Sequence, residues 1–285
     1  NYTCAPRPSC VNVSGTTVDS VTSDSVTLSW TENNTPAGTA WEVVAVAAGD
    51  PVPAEGTSNA TTNPFAISSL LANTSYDVYV RADCSMTFVG PMSVTTLLGP
   101  HSYPLSENFE TGFDLFDNAS GNDVDFSVST TYFHTGTQSV QNAHGSSNNN
   151  ALVQTGILDL STALNPELKF WQIAKTEGSY DKGYVQISID GGATYVDLPP
   201  SAYSGNSLDY GTRGYFHEDS YALWGTTSII ADNATWWQEE VFSLNAYKVA
   251  NVRIRFLLSS DGSANRQGWF IDDLTIAEGS SAPEC

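Results

Sequence analysis

The sequence predicts an all-β protein of two successive sandwiches, a smaller one over residues 1–98 and a larger jelly roll over residues 105–278. Three observations predict it. Short segments alternate apolar and polar residues with a period of two, clusters of Gly, Pro, Asn and Asp punctuate them, and no stretch carries a convincing amphipathic-helix period. Of the 285 residues 40% are hydrophobic and 11% aromatic, so both halves can bury a core.

In the first half the alternating segments are 26–30 (VTLSW), 41–46 (WEVVAV) and 76–82 (YDVYVRA). A proline-rich start precedes them, Trp30 closes the first of these segments, and Leu70-Leu71-Ala72-Asn73-Thr74-Ser75-Tyr76 leads into the last. In this order the segment resembles the fibronectin type III fold. The resemblance implies that Trp30 is the core tryptophan, that Tyr76 is a corner tyrosine, and that Cys4 pairs with Cys84. It also implies a scaffold, spacer or interaction module without chemistry of its own.

Residues 99–104 (GPHSYP) have the Pro and Gly content of a semi-rigid linker. Beyond them, strands are expected at 166–172, 184–190, 251–258 and 268–276, with Gly191-Gly192 as a tight hairpin turn. The long spacings and the late return strand favour a jelly roll over an up-and-down barrel. The motifs Glu107-Asn108-Phe109-Glu110 with Gly112, His134 to Val140, Val185 to Gly192 and Gly268 to Leu274 resemble, in that order, the MAM-like jelly rolls of secreted bacterial proteins. These accompany exported peptidases, adhesins and carbohydrate-active enzymes, so the resemblance implies an accessory or adhesive role. Residues 279–285 read either as a tail or as the start of a further module.

The chain carries 10 Lys and Arg against 31 Asp and Glu, a formal net charge of −21. Residues 100–285 hold 8 of the basic and 23 of the acidic side chains. Such a charge repels phosphate backbones and anionic headgroups, which sets nucleic acid and membrane surface aside as partners. No apolar run is long enough to cross a bilayer, so membrane insertion is not expected. The four cysteines, Cys4, Cys10, Cys84 and Cys285, lack zinc spacing and read as disulfide formers, which points to an oxidising, extracellular compartment. Spacing leaves the pairing open: Cys4 or Cys10 with Cys84 is the local option, and Cys285 either folds back to Cys10 or belongs to a further module. Asn-x-Ser/Thr triplets at Asn1, Asn12, Asn33, Asn59, Asn73, Asn118 and Asn233 fit an exported chain.

Carboxylates so poorly matched by amines call for a hard cation. In the related jelly rolls, and in family 4 and 22 carbohydrate-binding modules, a Glu at the end of the first strand, carbonyls of a Gly turn and an Asp of the last strand enclose calcium. The matching positions are Glu110, with Asn108 and Glu107 as weaker candidates, the turn Gly136-Thr137-Gln138, and Asp272 or Asp273. Only one of that last pair can face the ion if the strand is regular. The implied role is structural.

Catalytic residues are not expected. His101, His134, His144 and His217 have no spacing to a nucleophile or metal, and Glu239-Glu240 reads as a solvated strand start whose side chains point apart. Residues 199–237 read instead as a long aromatic loop. Tyr203, Tyr210, Tyr215 and Trp224 are its candidates for stacking on sugar rings, against the plainer expectation that the loop packs on itself. Trp236 and Trp237 should split, one inward and one outward, if the pair starts a strand. The function expected is noncatalytic adhesion or glycan recognition on an extracellular surface, with a glycan or protein partner. The alternatives are ancillary domains of a secreted hydrolase whose catalytic domain lies elsewhere, and a module of a surface stalk or filament.

Overall fold

The computed structural model describes residues 10–143, 145–225 and 235–279. Two units divide it between Gly99 and Pro100. Residues 100–104, expected to be linker, therefore belong to the second unit, where the His101 amide donates to the Ile157 carbonyl at 2.7 Å.

In the first unit seven strands form, β1 (Ser14–Val21), β2 (Val26–Thr31), β3 (Trp41–Ala47), β4 (Ser58–Ala60), β5 (Phe65–Ile67), β6 (Ser75–Ala82) and β7 (Val89–Thr95). They make a three-stranded sheet β1-β2-β5 and a four-stranded sheet β4-β3-β6-β7, antiparallel throughout. The alternation read from sequence is the reason: Val26, Leu28 and Trp30 of β2 face Trp41 and Val43 of β3 and Val78 and Val80 of β6 in one core. Trp30 packs edge-on against Trp41, ring centroids 5.3 Å apart. The Leu71 amide donates to the Tyr76 hydroxyl at 3.0 Å, which pins the turn before β6 as a tyrosine corner does.

Cys84 is bonded to Cys10, not to Cys4. Asn12 is the cause: its side chain donates to the Thr87 carbonyl and accepts from the Ala82 amide, which lays Cys10 alongside the end of β6. The Cα atoms are then 5.8 Å apart, within disulfide reach. Cys10 is thereby removed as a partner for Cys285; Cys4 and Cys285 lie outside the described residues. Among the Asn-x-Ser/Thr positions, the amide nitrogens of Asn12, Asn33 and Asn118 are all committed to backbone carbonyls. Asn1 and Asn233 lie outside the described residues.

The second unit is a jelly-roll sandwich. Its strands are β8 (Leu105–Glu107), β9 (Phe116–Asn118), β10 (Ser127–Ser129), β11 (Ser139–Asn142), β12 (Asn149–Gln154), β13 (Pro166–Lys175), β14 (Lys182–Ser188), β15 (Val196–Asp197), β16 (Gln238–Ser243), β17 (Arg253–Ser259) and β18 (Gly268–Glu278). One sheet runs β10-β11-β18-β13-β16 with β8 also on β18, and the other runs β15-β14-β17-β12-β9. The inner faces meet in an aromatic core in which Phe256 of β17 touches Phe116, Phe170 and Trp269. The Gly191-Gly192 turn joins β14 to β15, with φ of 75° and 100° at the two glycines, values that side chains oppose.

Candidate functional site

The turn between β10 and β11 is held from two sides. Along one edge of β18, β11 pairs with Trp269 to Ile271 and β8 with Leu274 to Ile276, leaving Asp272 and Asp273 between them. The register against β13 shifts at the same place, and Asp273 has a φ of 45°, so the strand bulges. The expectation that only one of the two aspartates can face the site assumed a regular strand, and the bulge removes it. Asp272 accepts from the His134 amide at 2.7 Å, and Asp273 takes His134 Nδ1 at 2.6 Å and the Thr135 hydroxyl at 2.8 Å. From the other side Glu110 accepts the Thr137 and Gln138 amides, both at 2.9 Å, while Gln138 Nε2 donates to the Glu110 carbonyl. Gly136 has a φ of 65°, which side chains oppose, and a Cβ there would displace the Glu110 carboxylate.

These bonds decide the charge states. The Thr137 and Gln138 amides hold the Glu110 carboxyl below its usual range. Asp272 is fully buried and its carboxyl is pushed up to about 6 by that burial. Asn108 is exposed and accepts from the Glu110 amide, whereas Glu107 is buried and spent on the Phe109 and Leu115 amides. A carboxylate group that sequence reading passed over lies elsewhere: Glu177, Asp181 and Asp261 bring their oxygens within 4.8 Å of one another. Burial and the two aspartates raise Glu177. Two loops far apart in sequence supply this group, Glu177 and Asp181 from the one before β14 and Asp261 from the one after β17, so no motif announces it.

Of the aromatic-loop candidates, Tyr210 and Trp224 are fully buried and cannot act as a sugar platform. Of the loop's described aromatics, Tyr210, Phe216, Trp224, Trp236 and Trp237 belong to the main core, not to a satellite of their own. Tyr210 lies among Tyr203, Phe216 and Phe242, and Trp224 Nε1 donates to the Trp236 carbonyl at 2.7 Å. Trp236 and Trp237 precede β16, which begins at Gln238, so the strand alternation that would part them does not apply, and both are buried. Tyr203 is half-buried and its hydroxyl donates to Glu240. Glu239 and Glu240 do point apart, but Glu240 is wholly buried rather than solvated. It also accepts from Tyr221 at 2.8 Å and Gln172 at 2.8 Å, and burial pushes its carboxyl up to about 7.

The histidines described have structural partners. His101 Nε2 accepts from the Gly156 amide, His134 stacks on Trp171 at 3.8 Å, and His217 caps the turn at Glu218–Ser220. His144 lies outside the described residues.

Tyr203 and Tyr215 are both half-buried, but Tyr203 packs on the core and is bonded to Glu240, whereas Tyr215 is not packed against that core. The neighbouring Phe216 pairs with Gly183, extending the edge of β14, and this sets Tyr215 against Tyr184, with ring centroids 5.8 Å apart. The Lys182 ammonium stands 5.2 Å from the Tyr215 ring centroid. An amine, two phenol rings and the outer face of a sheet thus come together, an arrangement suited to stacking and hydrogen bonding with a polar ligand.

No family model matches the chain. Over 92 residues it is 27% identical to Bacillopeptidase F of Bacillus subtilis (strain 168), which is 32% of this chain but only 6% of that protein. Among solved structures it is similar to the K1 cleaved adhesin domain of Lys-gingipain from Porphyromonas gingivalis W83, at 16% identity and a TM-score of 0.43, covering 63% of this chain and 100% of that one. It is also similar to CBM27-1 of Caldicellulosiruptor saccharolyticus in complex with mannohexaose, at 14% identity and a TM-score of 0.40, covering 64% and 100%. A third likeness is TmCBM61 in complex with β-1,4-galactotriose, at 17% identity and a TM-score of 0.36, covering 60% and 94%. All three are cleaved adhesin or carbohydrate-binding modules, and at these values the likenesses carry no argument about function.

Proposed function

We propose that the chain is a noncatalytic, extracellular recognition fragment in which the larger, MAM-like sandwich binds a glycan and the smaller, fibronectin type III-like sandwich serves as spacer. The observation that carries the reading is the Tyr215, Tyr184 and Lys182 cluster on the outer face of β14. The noncatalytic part is supported by the employment of the acid–base candidates: Glu240 is bound by two tyrosines and Gln172, and His101, His134 and His217 hold turns. The match to a small part of a peptidase favours a second reading, ancillary domains of a secreted hydrolase.

Binding to a glycan array that includes mannohexaose and galactotriose, lost in Tyr215→Ala, is the expected result. An array without a single bound glycan would overturn the proposal.

Calcium at the Gly136 turn belongs to the same proposal. The donor set is chemically apt: three carboxylates converge on one turn, and Asp272 is buried without a Lys or Arg partner among the described residues. Glu110, Asp272 and Asp273 would hold the ion with carbonyls of the turn, and the ion would supply stability by neutralising buried acid. Thermal melting should shift down with chelator in the parent and stay put in Glu110→Ala. A parent indifferent to chelator would remove calcium from the account.

A further inference from the structure

The outer face of the β14–β17 pair concentrates positive charge on a molecule that has little of it. Ile254, Phe256 and Leu258 of β17 are fully buried, so Arg253, Arg255 and Leu257 face outward. On β14, Gly183 lies against the Trp269 ring inside, which turns Lys182 and Tyr184 outward. The register sets Tyr184 beside Leu257 and Gln186 beside Arg255. Lys182, Arg253 and Arg255 are three of only eight basic residues in the second unit, against 23 acidic ones. Yet none of the three forms an ion pair with a described residue.

Arg253 is spent on the scaffold, donating to the Gln154 and Gly191 carbonyls. Arg255 uses only Nε, which donates to Gln186 at 2.7 Å, and its guanidinium lies 4.1 Å from the Tyr195 ring centroid. Its two terminal nitrogens bond no described residue. Two cation–aromatic pairs, Lys182 with Tyr215 and Arg255 with Tyr195, therefore flank Tyr184 and Leu257. Four residues of strand separate them, about 13 Å. Asp197, bonded to Gln186 at 2.7 Å, stands near Arg255 and Tyr184, Asp190 stands near Tyr195, and Asp117 lies opposite Val153 at the far side.

We infer that this face binds an acidic glycan, a polysaccharide with carboxylates on its sugar rings. Lys182 and Arg255 take the carboxylates, and Tyr184, Tyr195 and Tyr215 meet the apolar ring faces. The inference rests on the glycan-recognition reading above and deepens it. A molecule so rich in acid would repel a distant polyanion, but charges beyond the Debye length of about 8 Å are largely screened at physiological salt, and contact is governed by the local cations.

The test is calorimetric titration of the full chain with polygalacturonate and, in parallel, with neutral mannan and galactan. Polygalacturonate is expected to bind, with affinity falling about tenfold or more as salt rises from about 50 to about 500 mM. Lys182→Gln and Arg255→Gln should each weaken it by about fivefold or more, Arg255→Lys should retain most of it, and Lys248→Gln, which removes an exposed charge elsewhere, should leave it unchanged. Matching melting temperatures establish that the variants fold. Binding of the neutral polymers alone, or binding indifferent to Lys182→Gln and Arg255→Gln, overturns the inference while glycan recognition stands; no binding to any polysaccharide overturns both. Equal binding of poly-glutamate, undiminished in Tyr215→Ala, would make the face a dock for acidic protein and also overturn it.

Discussion

Glu240 has no contact with water and three donors around it, and burial still prevails, raising its carboxyl to about 7 from an ordinary 4.5. Because the folded value lies above the unfolded one, the fold favours the protonated acid. Its contribution to stability is fully present below about pH 4.5 and is lost as pH rises through 7. Denaturant unfolding at pH 5 and pH 8 should show a loss on the order of 3 kcal/mol from this group in the parent, and a clearly flatter profile in Glu240→Gln. An unchanged slope in the variant would assign the dependence to other groups. Alternation in the sequence tells that Glu239 and Glu240 part; it does not tell which goes inward. That depends on Tyr203 and Tyr221, whose hydroxyls arrive from a loop with no period of its own.

Among the elements, β13 and the loop after β15 are tied by charge. Lys175 ends β13 fully buried, with its ammonium 3.0 Å from Glu218 and 3.0 Å from the Trp224 carbonyl, and Arg266 meets Glu218 from the far side. Lys175→Met should cost about 3 kcal/mol or more, because Glu218 stays buried with one cation fewer, and Lys175→Met combined with Glu218→Gln should recover part of that loss. A single variant within about 1 kcal/mol of the parent would show the pair to be dispensable. The longer strands β2, β3, β6, β13, β14, β17 and β18 were readable from alternation, since residues such as Ile254, Phe256 and Leu258 must face one core, whereas most of the short strands carry no such run. The bulge at Asp273 was not, because it arises where β11 and β8 share one edge of β18, a long-range pairing with no local signature. Tyr210 and Trp224 were named as ligand candidates for a related reason: a segment without a strand or helix period reads as a surface loop even when its rings fill the core.

For the whole molecule, the two units call on different stabilising devices. The first closes a long loop with Cys10–Cys84, a sequence separation of 74, whereas the second relies on an extended aromatic core and buried ion pairs. Cys84→Ser should lower the unfolding free energy of the first unit by about 2–5 kcal/mol and leave the second unit's transition in place. Calorimetry separates the two, and a shift of both transitions together would contradict independent stabilisation. The all-β character was legible because period-two alternation and turn residues mark it. The proposed recognition face was only half legible, since the register of β14 against β17 and the Phe216–Gly183 bridge, both long-range, bring the Lys182–Tyr215 and Arg255–Tyr195 pairs onto one face. Hydrogen–deuterium exchange of the full chain with and without bound polysaccharide tests that face most directly. Protection should concentrate on β14, β17 and the backbone around Tyr195 and Tyr215, and protection confined to the opposite sheet or to the first unit would contradict the account.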